Sequence, residues 1–504
     1  MINWEEIHVL DKNAEFYGVP TTKLMENAGK HVAKFISDQL RIVTKNILVL
    51  SGVGNNGGDG FVAARYLSKK YNVTVFLTGK EQDIKTEISK NNFKKLKEKN
   101  ITIYDIRSLK KLDTLLQENQ VIIDAMLGIG LSGTLKEPYS EIVKKVNKTK
   151  NKTIISVDTP TGLGTNNTVK PQYTITFHDI KKGMTPKNSG EIIIADIGIP
   201  KKAIEYVGPG ELSTYYPKPK KTSHKGDNGK LLVIGGGPYI GAPALSGLAA
   251  LRTGIDLVFI AAPKRVAKAI TSFSPFIQPK KLAIGIAKLS PNLIVTELKH
   301  DEILTPEDIG LIEKILSKVD AVVIGPGLGS ENITKKAIEK IINRCVKNLK
   351  PMVIDADAIQ VVGEKTELIK NTSTVITPHA GEFKELTGVK LPSETEGRKK
   401  TVEKYAKKIG VTILLKGSVD IISNGKETKL NDIHNPGMTV GGTGDVLAGI
   451  TGALLSKKVG PYNAARISVF INGTAGNNAF KKRSYGLIAT DIIDEISNVL
   501  KKYL

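Results

Sequence analysis

Short apolar runs that break off into glycine and aspartate recur along this chain, and no other feature constrains its fold as tightly. Ile47 to Leu50, Val121 to Ile123, Ile154 to Val157, Lys230 to Ile234, Ala321 to Ile324, Met352 to Ile354, Val375 to Thr377 and Thr412 to Leu415 are such runs. A run too short for a helix and apolar at odd and even positions alike suits a strand covered on both faces, as in a parallel sheet. Between the runs lie amphipathic stretches. In one of them Leu24, Ala28, Val32, Phe35, Ile36 and Leu40 recur at helical spacing, with Thr21 or Thr22 as the expected N-cap. Strands alternating with helices build α/β layers, and ligands of such sheets bind beyond the carboxyl ends of the strands. The loops after the runs are therefore where function is expected.

The first such loop, Gly52-Val53-Gly54-Asn55-Asn56-Gly57-Gly58-Asp59-Gly60, precedes a helix expected over Phe61 to Lys70. It lacks the Gly-Lys-Ser/Thr ending of a P-loop and is read here as distinct from the ordinary dinucleotide fingerprint. Its carboxamides and carboxylate suit ribose hydroxyls or a hard monovalent cation. Two further runs end at Asp124 and Asp158, so three strand ends bearing Asn56, Asp124 and Asp158 are expected to share one edge. The plainer reading of each aspartate alone is a cap.

Near the other end, Asn435-Pro436-Gly437-Met438-Thr439-Val440-Gly441-Gly442-Thr443-Gly444-Asp445 sets four glycines and a carboxylate before a small-residue helix. A helix N-terminus offers unpaired N–H groups to phosphate, and glycine lets the oxygens come close. A carboxylate there would repel phosphate, which suggests a base that deprotonates a hydroxyl nucleophile. The alternative is that Asp445 only caps the helix.

At 504 residues the chain exceeds one core. The stretch from Gly208 to Pro219 interrupts the periodicity with three prolines and reads as a linker, giving domains at 1–215 and 216–504. Lys and Arg total 73 against 50 acidic residues, a net +23, but pairs such as Lys69-Lys70, Lys144-Lys145 and Lys407-Lys408 are dispersed, as on a solvated surface. The single cysteine, Cys345, falls on a buried helix face and excludes an internal disulfide. With no leader pattern and no apolar run of membrane-spanning length, a cytoplasmic protein is expected.

Leu24-Met25-Glu26-Asn27-Ala28-Gly29, the loop Gly54 to Gly60, Asp124-Ala125-Met126-Leu127-Gly128 and Val157-Asp158-Thr159-Pro160-Thr161-Gly162 together resemble the NAD(P)H-hydrate epimerase family. The resemblance implies a potassium ion held by Asn56, Asp124 and Thr161. It also implies a hydrated nicotinamide nucleotide lined by Asn55, Asn56, Gly57, Gly58, Asp59, Gly128, Ile129, Gly130, Leu131, Ser132, Gly133, Thr134, Tyr139 and Asp158. Asp158 is the candidate acid/base.

Gly325-Pro326-Gly327-Leu328-Gly329, Asp355-Ala356-Asp357, Thr377-Pro378-His379-Ala380-Gly381-Glu382-Phe383, Lys416-Gly417 and Gly442-Thr443-Gly444-Asp445 similarly resemble the NAD(P)H-hydrate dehydratase family of the ribokinase-like superfamily. That resemblance implies Ala242, Gly327, His379 and Asp445 against the hydrate, with Asp445 catalytic. Lys416, Gly417, Ser418, Val419, Asp420 and Gly444 would contact the nucleotide, ADP as co-substrate with Mg. Together the two resemblances imply an α/β chain with an N-terminal Rossmann-like three-layer domain followed by a C-terminal ribokinase-like α/β domain. The implied partners are NADH hydrate, NADPH hydrate and ADP in a homo-oligomer, with no specific nucleic acid and no membrane. A vitamin-precursor or sugar kinase is the alternative enzyme, but it leaves residues 1–215 unexplained. A nucleic-acid or scaffold protein is the alternative class, favoured by charge but lacking aromatic residues among its basic clusters.

Overall fold

Alternate residues of each apolar run face opposite sides of a sheet, and both sides are dry. Ile47 and Val49 enter one hydrophobic cluster while Leu48 and Leu50 enter another; Leu231 and Val233 are likewise divided from Leu232 and Ile234. The computed structural model describes residues 1–40, 46–130, 133–272 and 292–504. They divide into two units, Met1–Ile204 and Glu205–Leu504, and no hydrophobic cluster draws residues from both.

In the first unit β1 (Asn46–Ser51), β2 (Asn72–Leu77), β3 (Thr102–Asp105), β4 (Val121–Ala125), β5 (Thr153–Val157), β6 (Tyr173–Phe177) and β7 (Glu191–Ala195) pair in the order β3-β2-β1-β4-β5-β6-β7. Every pair is parallel. The direction of strand addition reverses between β1 and β4, which opens a crevice at their carboxyl ends in the Rossmann-like manner.

The second unit contains β8 (Lys230–Ile234), β9 (Leu257–Ala262), β10 (Leu293–Glu297), β11 (Ala321–Ile324), β12 (Met352–Ile354), β13 (Thr374–Ile376), β14 (Thr412–Leu415), β15 (Asp420–Ser423) and β16 (Thr428–Asn431). Their order is β10-β9-β8-β11-β12-β13-β14-β15-β16, parallel through β14 and antiparallel for the last two. Here the reversal lies between β8 and β11. No helix among the described residues is long and apolar enough to cross a membrane.

Three local expectations are corrected. The helix Asn55–Leu67 begins inside the glycine run rather than at Phe61, so Asn56, Gly57, Gly58 and Asp59 are helical. The helix Thr21–Asp38 has Pro20 as its N-cap, and neither threonine caps it. The supposed linker contains a helix, Pro209–Tyr215, within the second unit, and the division falls ahead of it at Ile204/Glu205. Pro209 occupies a first turn, where its missing N–H costs nothing. Glu211, fully buried, meets Arg466 at 2.9 Å, so this segment is anchored by a buried ion pair.

Candidate active sites

Packing of bare backbone builds the first crevice. A Cβ on Gly52 would stand 1.8 Å from the carbonyl oxygen of Met126, and one on Gly57 1.9 Å from that of Gly52. These two glycines let the end of β1 press on the loop after β4 and the helix press on the turn. Gly52, Gly54 and Gly57 do have G-x-G-x-x-G spacing, which corrects the reading of this loop as distinct from the dinucleotide fingerprint.

Asp124, at the end of β4, is completely buried. Its carboxylate accepts hydrogen bonds from Thr161 Oγ1 at 2.6 Å, Thr161 N at 2.9 Å and Ser156 Oγ at 2.8 Å. Burial raises its pKa, and these donors counter part of the rise. Thr161 Oγ1 in turn accepts from Leu127 N at 3.0 Å. Beside this loop lies Asn56, whose Cβ would be 3.7 Å from one on Gly128. Both polar atoms of the Asn56 side chain are buried without a partner. The three strand ends do share one edge, since β1, β4 and β5 are parallel neighbours in the sheet.

Asp158 has φ +63° in a left-handed turn after β5. Its Oδ1 accepts from Phe177 N and pairs with Lys181, which is itself almost wholly buried and also donates to Thr176 Oγ1 and Phe177 O. Asp59 and Asp11 couple to this pair. Burial, then Asp158, then Asp11 push the Asp59 carboxyl well above its usual range. Burial and Asp158 raise Asp11 to about 6. Sequence reasoning missed Lys181 and Asp11; the available signal for Lys181 was its place just past the end of the apolar strand Tyr173–Phe177.

The other predicted lining residues are less concentrated. Asn55 is exposed and accepts from Thr86 Oγ1 at 2.7 Å. Tyr139 opens the helix Tyr139–Lys148 and packs on the cluster that holds Met126 and Leu127. Ile129 is partly buried, Gly130 exposed, and Gly133 bridges to Thr165 beside exposed Thr134. Leu131 and Ser132 lie outside the described residues.

In the second unit the helix Thr443–Ser456 rises from Gly442, which has φ +93° and caps it without a side chain. Asp445 is therefore not the cap. Close packing holds this helix: a Cβ on Gly449 would be 2.1 Å from the Ser246 carbonyl oxygen in the helix Ala242–Arg252, and Ser246 Oγ donates to the Asp445 carbonyl at 2.9 Å. Burial chiefly, with Asp355 and Asp357 adding and Lys416 opposing, raises the Asp445 carboxyl to about 7. A carboxylate with that value can take a proton near neutral pH.

Lys416, just past β14, donates to Asp355 at 2.9 Å and stands 3.6 Å from Glu382. Burial works against its charge, yet Asp355 and Glu382 hold its pKa above the ordinary value. A Cβ on Gly444 would lie 3.5 Å from Lys416 Nζ, so the lysine faces the glycine turn. Gly417 and Ser418 are exposed and Val419 partly so. Asp420, by contrast, is committed to the fold. Its oxygens accept from Gly417 N and Asn431 Nδ2, and it shapes the loop.

Of the residues expected against the hydrate, Gly327 abuts Ala242, with a Cβ separation of 3.2 Å for a residue placed there. His379 is the N-cap of the helix Ala380–Thr387. Its Nδ1 accepts from Gly381 N and Glu382 N, and its Nε2 stands 3.6 Å from Glu382 Oε1 on a ring that is 60% exposed. Asp355 and Glu382, which position Lys416, were read as part of the motifs without a role.

A carboxylate above a glycine turn, with a lysine facing that turn, is an arrangement suited to phosphoryl transfer. A family model described as NAD(P)H-hydrate dehydratase matches residues 231–498, and one described as YjeF-related protein N-terminus matches residues 21–183. Proteins named bifunctional NAD(P)H-hydrate repair enzyme from Hyperthermus butylicus and Methanocaldococcus jannaschii are each 38% identical to it, over 98% and 99% of this chain and 91% and 94% of theirs. The chain belongs to the family of bifunctional NAD(P)H-hydrate repair enzymes. Among solved structures, the ADP/ATP-dependent NAD(P)H-hydrate dehydratase from Bacillus subtilis co-crystallised with ATP and Mg2+ is 22% identical over 60% of this chain and 99% of its own, with a TM-score of 0.46. A ribokinase-like superfamily protein from Enterococcus faecalis is 23% identical over 59% and 96%, with a TM-score of 0.49.

Proposed function

We propose that this chain restores hydrated nicotinamide nucleotides in two reactions, one in each unit. The observation that carries the reading is the Asp445 carboxylate, which caps nothing and is raised to about 7 beside the Gly442–Gly444 turn. Water added across the C5–C6 double bond of the dihydronicotinamide ring leaves a hydroxyl, a poor leaving group. Asp445 takes the hydroxyl proton, and the oxygen attacks the β-phosphorus of ADP. The bond from that phosphorus to the bridging oxygen breaks, and AMP departs. Loss of a C5 proton then expels phosphate and restores the double bond. The N–H groups of the turn and Lys416 face the charge on the moving phosphoryl group. Ala242, Gly327 and His379 line the hydrate, and Lys416 to Val419 with Gly444 the nucleotide; Asp420 holds that loop. Mg2+ would arrive with the phosphates, in keeping with its preference for phosphate oxygens and water over protein cages.

In the first unit, epimerisation interconverts the R and S hydrates so that both reach an S-specific dehydratase. The C6–O bond opens with help from the ring nitrogen, and an acid gives the departing oxygen a proton. Return of water to the opposite face gives that proton back. Asp158, paired with Lys181 and facing the raised carboxyls of Asp59 and Asp11, is the group placed for this exchange. The residues Asn56, Asp124 and Thr161 suit a potassium ion, because the Asn56 carboxamide is buried with no partner beside a caged carboxylate. Potassium there would supply positive charge toward the nucleotide's oxygens. The enzyme would act as a homo-oligomer in the cytoplasm.

Incubation with NADH hydrate and ADP tests the proposal. Dihydronicotinamide absorbance should return as AMP and phosphate form. If it does not return with either ADP or ATP, the reading fails.

A further inference from the structure

Arg398 differs from the scattered surface cations of this chain. It lies in the first turn of the helix Thr395–Ile409, where the helix dipole disfavours a cation. The side chain is partly buried, and its Nε is sealed from solvent with no hydrogen-bond partner. Among the described residues no carboxylate pairs with it. A guanidinium has five donors, and a buried one left unmade costs free energy. The group it does approach is a bare backbone: Nη1 lies 3.6 Å from where a Cβ on Gly417 would stand. Because Gly417 has no side chain, that residue puts nothing but backbone beside the guanidinium.

The position of that space relative to the base decides what fills it. Asp445 follows Gly444; Lys416 Nζ is 3.5 Å from a Cβ placed on Gly444; Gly417 follows Lys416; Arg398 adjoins Gly417. On the phosphoryl-transfer reading, the group in transit sits at the turn beside Asp445. The phosphate one step further from the base then falls beside Gly417 and Arg398. We propose that Arg398 holds the α-phosphate of the nucleoside diphosphate, the part that leaves as AMP, an assignment resting on the phosphoryl-transfer reading above. The planar fork of arginine suits two oxygens of one phosphate, and it neutralises the charge that grows on the leaving group.

The test compares adenosine, AMP and ADP binding to the full-length protein by calorimetry, alongside dehydration kinetics. R398Q should lower AMP affinity by about ten- to a hundredfold, the range for a charge-assisted hydrogen-bonded pair. Adenosine affinity should stay as in the unmodified protein, and R398K should recover part of the loss. Unchanged AMP affinity in R398Q overturns the proposal. So does an equal loss for adenosine, which would mark a collapsed loop, and so does an unmodified protein with no preference for AMP over adenosine. Should the unmodified protein prefer AMP yet fail to dehydrate with ADP, the catalytic reading falls, and the AMP affinity of R398Q alone decides whether the arginine holds that phosphate.

Discussion

Asp445 combines two properties that pull against each other, and their balance can be measured. As a base it works only when deprotonated, so kcat/KM for dehydration should rise with pH up to about 7 and level off above it. Asp445→Asn should keep ADP binding but slow dehydration by about a hundredfold or more, the usual range for losing a general base. The same raised pKa has the opposite sign for folding. The folded chain holds the Asp445 proton up to about 7 whereas an ordinary aspartate releases it near 3.8. This group's stabilising contribution is therefore complete below that lower value and lost as pH rises through the higher one. Asp445→Asn should accordingly raise the unfolding temperature above pH 7, with the difference vanishing toward pH 4. A variant that loses activity and is also less stable at pH 8 would show a structural role instead.

At the scale of elements, both sites are set by how closely backbones approach. Helix propensity alone favours alanine over glycine by about 1 kcal/mol. At Gly449 the added methyl would meet the Ser246 carbonyl at 2.1 Å, inside any permitted contact. Gly449→Ala should therefore destabilise the second unit by about 1–3 kcal/mol, the usual cost of overpacking; a stabilised variant in scanning calorimetry would contradict this packing. In the first unit Asn56→Ala removes a side chain that has no partner, so stability should change little while epimerisation loses its preference for potassium over lithium. Dehydration of the pure S hydrate should be untouched. Equal loss of both activities would point to unfolding.

The same packing explains what the sequence could reveal. Strands such as Ile47 to Leu50 were legible because burial on both faces leaves only apolar residues. The start of the helix at Asn55 was not, since Asn-Asn-Gly-Gly is a poor helix former by itself. That turn is helical because Gly57 and Gly58 can press on Gly52 and Met25, contacts that local propensity does not contain. Asp445 and Asp124 stood out by their neighbours along the chain. Lys181 and Arg398 did not, because each gains its meaning from residues distant in sequence and is one cation among 73. The segment after Gly208 misled for a related reason: proline marks helix starts as well as linkers, and only the Glu211–Arg466 pair decides between them.

For the molecule as a whole the net charge of +23 is the property least absorbed by the two sites. A protein that neutralises six to ten phosphates loses about a thousandfold or more in affinity between low and moderate salt, and needs its cations on one face. Many lysines here are already engaged locally, as in Lys145 with Asp113 and Lys365 with Glu339. Duplex DNA and single-stranded RNA should bind only weakly at physiological salt. Submicromolar affinity for either, in a titration of labelled strands, would return the nucleic-acid reading to contention.

Among the described residues no hydrophobic cluster draws on both sides of Ile204/Glu205. In genetic terms the reading frame has a seam. A split or fusion at that codon pair would leave the inheritance of each described core whole.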